Sequence, residues 1–300
     1  MVEDKRTLAS TLFDLLNIVF FTLFTISCIF PFYYLFINTI SANDLASSGK
    51  ILLIPREIHF GNYVEVFQLQ GLLNATMISI LRTVIGTALT VFASAFLGYA
   101  FCRLEFWYRK FWYRFVIITM YLNAGLIPWF LTMKELGLLN NFLVYILPTL
   151  VGPFYVILFK TYVEQIPPSL EESAQMDGAG YLVRFTQIIL PLSMPIVATI
   201  AVFASVNQWN SFIDTLFLIR DKDLFTLQFL LYQYLSEVNA IASMLRMDAS
   251  QASNIDPSKL MSPTSIRMTV TIVVLLPILF VYPFMQRYFV KGIMIGAVKG

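Results

Sequence analysis

Apolar residues run along this chain in long blocks separated by short polar connections. Six blocks, at approximately 12–40, 72–101, 113–132, 140–161, 186–208 and 266–289, are long enough to cross a hydrocarbon core, which takes about 20 apolar residues. Backbone polar groups in hydrocarbon must be satisfied within their own segment. The pattern therefore predicts six transmembrane helices and an all-α polytopic membrane protein. The stretch Leu224–Leu235 is apolar but too short to span, and it predicts a helix lying over one face of the bundle.

Composition agrees with a bilayer environment. Of the 300 residues, 58% are hydrophobic and only 13% are charged, where a soluble domain carries about 25%. The net charge of +2 comes without a clustered basic run, so a nucleic-acid partner is not expected. Two cysteines, Cys28 and Cys102, predict packing roles rather than a disulfide framework, and the single histidine, His59, leaves no metal cluster. Lys5 and Arg6 precede an apolar stretch that is much longer than a secretory signal core of roughly 7–15 residues. It reads as a retained first span.

Lys and Arg orient the bundle. The short 102–112 connection is basic, with Arg103, Arg109 and Lys110, and Arg114 follows; its counterpart at 133–139 has Lys134 balanced by Glu135. Short loops carry the orienting signal, so the N- and C-termini are both expected in the cytoplasm. The expected organisation is a cytoplasmic segment 1–11, a transmembrane domain 12–292 with outward connections at about 41–70 and 209–265, and a cytoplasmic tail 293–300.

One polar run interrupts the apolar pattern: 166–180, followed by Ile189, Leu190 and Pro191. Its carboxylates, Glu171, Glu172 and Asp177, would each cost about 3 kcal/mol at the bilayer centre, so the run belongs outside the hydrocarbon. Pro167 and Pro168 stop the preceding helix. Ser169 with Glu172 has capping-box spacing, and Glu171 and Glu172 suit a first turn. Gly178 and Gly180 are placed to end the helix with positive φ. A rigid helix of two to three turns is expected, with small residues, Ser173, Ala174 and Ala179, that let a partner approach closely.

The string Glu172-Ser173-Ala174-x-x-Asp177-Gly178-Ala179, then Ile189-x-Pro191, resembles the EAA motif of ABC-importer permeases, with Ser173 in place of the first Ala. Further strings resemble carbohydrate-uptake permeases: Gly125 to Pro128, Leu136 to Asn140, Trp209-Asn210, and the C-terminal Pro277 to Gly292 with Gly296 to Gly300. The ending is most similar to permeases for oligosaccharides and polysaccharide fragments. The resemblance implies the type I ABC importer permease fold in a bacterial cytoplasmic membrane, with about 166–180 as a cytoplasmic coupling helix. Glu171, Glu172, Ser173, Ala174, Met176, Asp177, Gly178 and Ala179 would then face the ATPase. It also implies a second homologous permease in a heterodimer, two ATPase subunits, an extracytoplasmic solute-binding protein and an oligosaccharide substrate. No cofactor is expected in this chain, ATP and Mg being bound by the partner ATPase; no Gly-x4-Gly-Lys-Ser/Thr string occurs in it.

Polar and aromatic groups facing a bundle interior build transport sites. Asn74, Tyr121, Asn123, Asn207, Trp209 and Asn210 are the pathway candidates, with Thr76, Arg82 and Gln208 beside them. Trp209 also fits an interfacial belt, the asparagines fit helix-end bonding, and Arg82 fits pairing with a carbonyl or another subunit. An ion-coupled transporter or channel is the alternative class and predicts carboxylates at midplane depth. The acids here lie almost entirely in the connections. An intramembrane enzyme would need paired acids, a Ser/His pair or a metal set.

Overall fold

The computed structural model describes residues 8–69, 71–236, 265 and 267–279, and helices are the only regular elements among them. The described residues of 8–69 and 234–273 form one compact unit, and those of 71–233 and 274–279 form another.

The first unit begins with α1, Leu8–Thr39, a helix whose apolar side chains from Leu12 to Phe32 are exposed. Hydrophobicity on every face suits a helix surrounded by hydrocarbon. Burial begins at its C-terminal end, where Ile37 to Ala42 meet the folded connection that follows. That connection carries α2, Asn43–Ser47, and α3, Gly61–Gln68. It is pinned by side chains: Asn62 Nδ2 donates to Thr39 O at 2.9 Å, the Thr39 and Tyr63 hydroxyls lie 2.8 Å apart, and Tyr33 Oη donates to Leu53 O at 2.6 Å. The expected outward loop 41–70 is thus a folded cap on one end of α1.

The second unit is organised by α4, Leu72–Cys102, which packs along α7 (Pro153–Val163) and α11 (Met194–Asn210). Small buried residues recur on its inner face at Ala75, Ser79, Gly86, Thr90, Ser94 and Gly98. Small side chains let helices approach closely in a membrane, where van der Waals contact and hydrogen bonds replace the hydrophobic drive. At Gly98 a Cβ would stand 3.0 Å from the Phe159 ring and 3.1 Å from the backbone of Val156 and Lys160. Tyr99, Phe159, Val163, Phe185, Ile189 and Ile200 close the core around it.

Two of the expected spans are bent. Phe142–Thr149 meets Pro153–Val163 at 47°, and Tyr181–Leu192, which ends in the single turn α10 (Leu190–Leu192), meets Met194–Asn210 at 82°. Pro148 and Pro153 flank the first bend, and Pro191 and Pro195 flank the second, with a π-helical turn at Phe185–Ile189 just before it. Proline removes a backbone donor and clashes with the preceding turn, so both bends have a covalent cause. The expected span 113–132 is divided into α5, Arg109–Tyr121, and α6, Leu126–Glu135. Gly125 sits between them at φ +84°, and its N–H donates to Asn123 Oδ1 at 2.9 Å. Gly125 thus stands at the N-cap of α6 in a positive-φ conformation that glycine alone adopts readily, and the chain breaks there although the run stays apolar.

Ser10–Thr39 and Leu72–Cys102 are each long and apolar enough to cross a membrane, and with each bent pair taken as one span the described residues hold up to four. The last expected span, 266–289, is described only over Arg267–Leu279, a shorter apolar helix. The tail 293–300 and residues 237–264 of the 209–265 connection lie outside the described residues. The helix expected from Leu224–Leu235 is present over 227–236, with Leu227, Phe229 and Leu230 buried and Leu227 N–H donating to Ser79 Oγ on α4 at 2.8 Å.

The string from Leu136 to Asn140 closes the second core. Gly137 turns the chain at φ +67°, and Asn140 Oδ1 accepts from the N–H groups of Arg220 and Asp221 at 3.0 and 2.8 Å. Above this clamp, Met133, Leu138, Val144, Tyr145, Leu218 and Ile219 pack together.

Candidate functional site

The polar run folds as expected in its main element and differently in its details. Ser169–Met176 is a helix, α8, entered from Pro167 and Pro168. Pro168, not Ser169, occupies the N-cap, and no side chain caps the helix. Ser169 is already helical, Ser173 Oγ donates to its carbonyl at 2.8 Å, and Glu172 is exposed, so the capping box does not form. Proline at the entry leaves one fewer amide to satisfy and presets the helical φ.

The far end is a double-bonded C-cap. Gly178 has φ +83°, its N–H donates to Gln175 O at 3.0 Å, and Ala179 N–H donates to Ala174 O at 2.9 Å, the Schellman pattern. Gly180 departs from expectation: its φ is −68°, and it opens the next helix, α9 (Tyr181–Arg184), instead of ending α8.

The helix has two faces. Glu171 turns inward and is buried, Ala174 is half-buried, and Gln175 Oε1 accepts from Arg184 Nη1 at 3.0 Å. Glu172, Ser173, Met176, Asp177 and Gly178 point away and are exposed, Met176 at 87%. Of the residues expected to face the ATPase, Glu171 is therefore set apart: it is an internal anchor. Its carboxylate pairs with Arg103 at the end of α4, lies 3.9 Å from Arg184, and accepts from Tyr99 Oη at 2.6 Å. Arg103 stacks over the Tyr99 ring at 4.6 Å, and Arg184 over Tyr181 at 4.5 Å. A cavity of about 340 Å³ lies beside this network, lined by Arg103, Glu105, Pro168, Glu171, Glu172 and Arg184. A buried carboxylate bridging two arginines is costly to break, because each remaining charge is left uncompensated. The arrangement holds α8 against α4 and α9 as one body.

A second polar centre lies inside the helix bundle and joins residues distant in sequence. Arg82, on α4 and only 1% exposed, donates from Nη2 to Asp214 Oδ2 at 2.6 Å and from Nη1 to Oδ1 at 3.3 Å. Its Nη2 and Nε donate to Gln208 Oε1 at 3.1 and 3.3 Å, and its guanidinium stacks over Tyr145 at 4.3 Å. Gln208 Nε2 in turn donates to Thr149 Oγ1 at 2.8 Å. Asp214 lies on α12, Ile213–Leu218, a carboxylate inside the packed helices that the sequence pattern did not single out. The one sign of it is a lone acid in an otherwise apolar stretch just after Trp209-Asn210.

The remaining pathway candidates separate. Trp209 is buried, and its indole N–H donates to Val274 O at 3.2 Å, which makes it a packing anchor between helices rather than an exposed aromatic face. Asn74, Asn207 and Asn210 are exposed; Asn74 Nδ2 donates to Asp223 O at 2.6 Å, and Asn210 Oδ1 accepts from Gln228 at 3.0 Å. Tyr121 and Asn123 are exposed at the break between α5 and α6. Among the described residues no group of three His, Cys, Asp or Glu side chains is placed to hold a metal.

Residues 90–295 match the family described as binding-protein-dependent transport system inner membrane component. The chain belongs to that family. It is 35% identical to the polygalacturonan/rhamnogalacturonan transport system permease protein YtcP of Bacillus subtilis, over 96% of this chain and 99% of that protein. It is 28% identical to the arabinooligosaccharides transport system permease protein AraQ of Bacillus subtilis, over 94% of each. Among solved structures, a bacterial ABC transporter involved in the import of the acidic polysaccharide alginate matches with a TM-score of 0.82 and 27% identity, over 94% of this chain and 98% of that one. The type I importer permease fold implied by the α8 motif is therefore the fold of this chain. As a family member it is a membrane-embedded permease subunit of a binding-protein-dependent transport system.

Proposed function

We propose that the chain is the transmembrane pathway subunit of an ATP-driven importer that carries an oligosaccharide into the cytoplasm by alternating access. The observation that carries the energetic part is the two-faced helix α8, with Glu171 locked inward and Glu172, Ser173, Met176, Asp177 and Gly178 presented outward. A short helix tied to the bundle by a buried ion network transmits displacement as a lever does. A separate ATPase docked on its outer face would supply the motion, ATP and Mg being bound there rather than in this chain.

The carbohydrate assignment rests on the permeases named above, whose cargoes are polygalacturonan/rhamnogalacturonan, arabinooligosaccharides and, for the solved relative, alginate. On this reading a second permease completes the pathway as a heterodimer, two ATPase subunits dock on the cytoplasmic side, and an extracytoplasmic binding protein delivers the sugar. Both termini lie in the cytoplasm, in keeping with the basic 102–112 connection. The domain limits are 1–11, 12–292 and 293–300. Asn74, Asn207, Asn210, Tyr121 and Asn123, each exposed in the isolated chain, are the groups left to meet the sugar.

The test is to purify the assembled complex and measure ATP hydrolysis across a panel of oligosaccharide-loaded binding proteins. Stimulation by one class of oligosaccharide supports the reading. A chain that copurifies with no ATPase, and whose uptake follows an ion gradient, overturns it in favour of the ion-coupled alternative.

A further inference from the structure

The segment that opens α5 has a chemistry that neither the coupling helix nor the sugar pathway uses. Phe106, Trp107 and Tyr108 are followed by Arg109, Lys110, Phe111, Trp112 and Arg114. Trp107 is 73% exposed, and Tyr108, Phe111 and Trp112 are exposed beside it. Tyr108 takes a left-handed conformation at φ 48°, the sharp turn that starts the helix. Phe106, Tyr108, Arg109, Lys110, Phe111 and Arg114 together line an open recess of about 450 Å³.

The recess holds three cations and three aromatic rings, and no carboxylate lines it. Among the described residues, Arg109, Lys110 and Arg114 form no ion pair; the Arg109 guanidinium donates from Nη1 to Cys102 O at 3.3 Å. The nearest acid in sequence, Glu105, lines the cavity at α8 instead. From the recess onward, Phe111, Phe115 and Ile118 recur at i, i+4 and i+7 on one face of α5 and are exposed, an apolar stripe suited to acyl chains.

We propose that this recess binds the phosphate headgroup of an anionic phospholipid, with Arg109, Lys110 and Arg114 neutralising it. Trp107, Tyr108 and Trp112 would lie at the level of the glycerol backbone. Tryptophan and tyrosine favour that interfacial zone, and basic clusters at the end of a span attract anionic headgroups. The placement of the rings selects a lipid over an acidic protein surface: they continue directly into a helix face that is apolar along its length. The inference goes beyond the transport reading and rests on it only for the cytoplasmic placement of this basic connection.

The full-length chain in detergent is equilibrated with equal amounts of phosphatidylglycerol and phosphatidylcholine of matched acyl chains, and retained lipid is counted by native mass spectrometry. Phosphatidylglycerol is expected to be enriched. Each of Arg109→Gln, Lys110→Gln and Arg114→Gln should reduce that enrichment about fivefold, and the triple variant about a hundredfold. Arg109→Lys with Arg114→Lys should retain it to within a few fold. Where the triple variant fails to insert, the single variants are decisive. Equal retention of the two lipids by the unmodified chain, or undiminished enrichment in every glutamine variant, overturns the proposal. Loss of the ATPase from the assembled complex with lipid retention unchanged would mark a protein-docking face, and overturns it also.

Discussion

Tyr99 Oη donates to Glu171 Oε1 at 2.6 Å, joining the last turn of α4 to the first turn of α8. This bond, with the Arg103 and Arg184 contacts on the same carboxylate, makes the coupling helix part of the bundle's rigid body. Removing the charge should loosen that link without touching the docking face. Glu171→Gln keeps an acceptor for Tyr99 but leaves Arg103 and Arg184 uncompensated. The cost is expected at the low end of roughly 3–5 kcal/mol, because Arg103 is partly exposed, with 21% of its side chain accessible. Thermal unfolding of the purified complex measures the stability. Binding-protein-stimulated ATP hydrolysis should fall relative to basal hydrolysis, and a stimulation ratio equal to that of the unmodified complex would exclude Glu171 as a positioning residue.

Gly178 separates backbone strain from docking. A Cβ there meets nothing within 4 Å, but φ is +83°, so Gly178→Ala should cost only about 1–2 kcal/mol of local strain and leave insertion intact. Gly178→Trp carries the same backbone cost and adds bulk to the exposed face. Copurification of the ATPase should survive the alanine and be lost or weakened with tryptophan. Equal coupling in the two variants would sink the assignment of this face to ATPase docking.

How far the sequence foretells the molecule depends on the range of the interaction. The existence of α8, its proline entry and its Gly178 cap are local, and the residues announce them. Glu171 and Glu172 are equivalent locally, both first-turn acids; only the partners Arg103 and Arg184 decide that Glu171 turns inward. Arg82 is conspicuous in its apolar span, but Asp214 is 132 residues away and reaches it only through the packing of α4 with α11 and α12. The bends at 150–152 and 193 and the break at 122–125 occur inside apolar runs, where the hydropathy pattern is continuous and the deciding residues are single prolines, a glycine and an asparagine.

Gly98 tests the small-residue face of α4. A Cβ would stand 3.0–3.1 Å from the Phe159 ring and from backbone atoms of Val156 and Lys160, and backbone cannot step aside as a side chain does. Gly98→Val should destabilise by about 1–3 kcal/mol, the range for overpacking. At Gly86 the nearest atoms belong to the Gln208 side chain, at 2.6 Å. Gly86→Ala should therefore displace Gln208 and disturb Arg82 while leaving the helix spacing intact. Detergent thermal midpoints should fall for Gly98→Val, and a midpoint matching that of the unmodified chain would contradict the close approach of α4 and α7.

The Arg82–Asp214 pair distinguishes a structural lock from an ion-coupling site. Asp214 receives two bonds from Arg82, and its Oδ1 also accepts from Thr215 N–H at 2.9 Å. A carboxylate with both oxygens so engaged has no lone pair left aimed at open space for a cation. Breaking the pair from one side, by Asp214→Leu or Arg82→Met, leaves a buried charge and should cost roughly 3–5 kcal/mol. Replacing both, by Arg82→Met with Asp214→Leu, removes the charge and its desolvation together, and should recover most of that loss. Gln208 then loses its cationic partner but keeps Thr149. The measurement is a double-mutant cycle on the thermal stability of the complex, paired with uptake in the presence of a protonophore. Recovery of stability and ATP-driven uptake in the double variant assigns the pair to holding α4 against α12. Uptake abolished by the protonophore in the unmodified complex, and lost in the stable double variant, would instead make Asp214 an ion-coupling group.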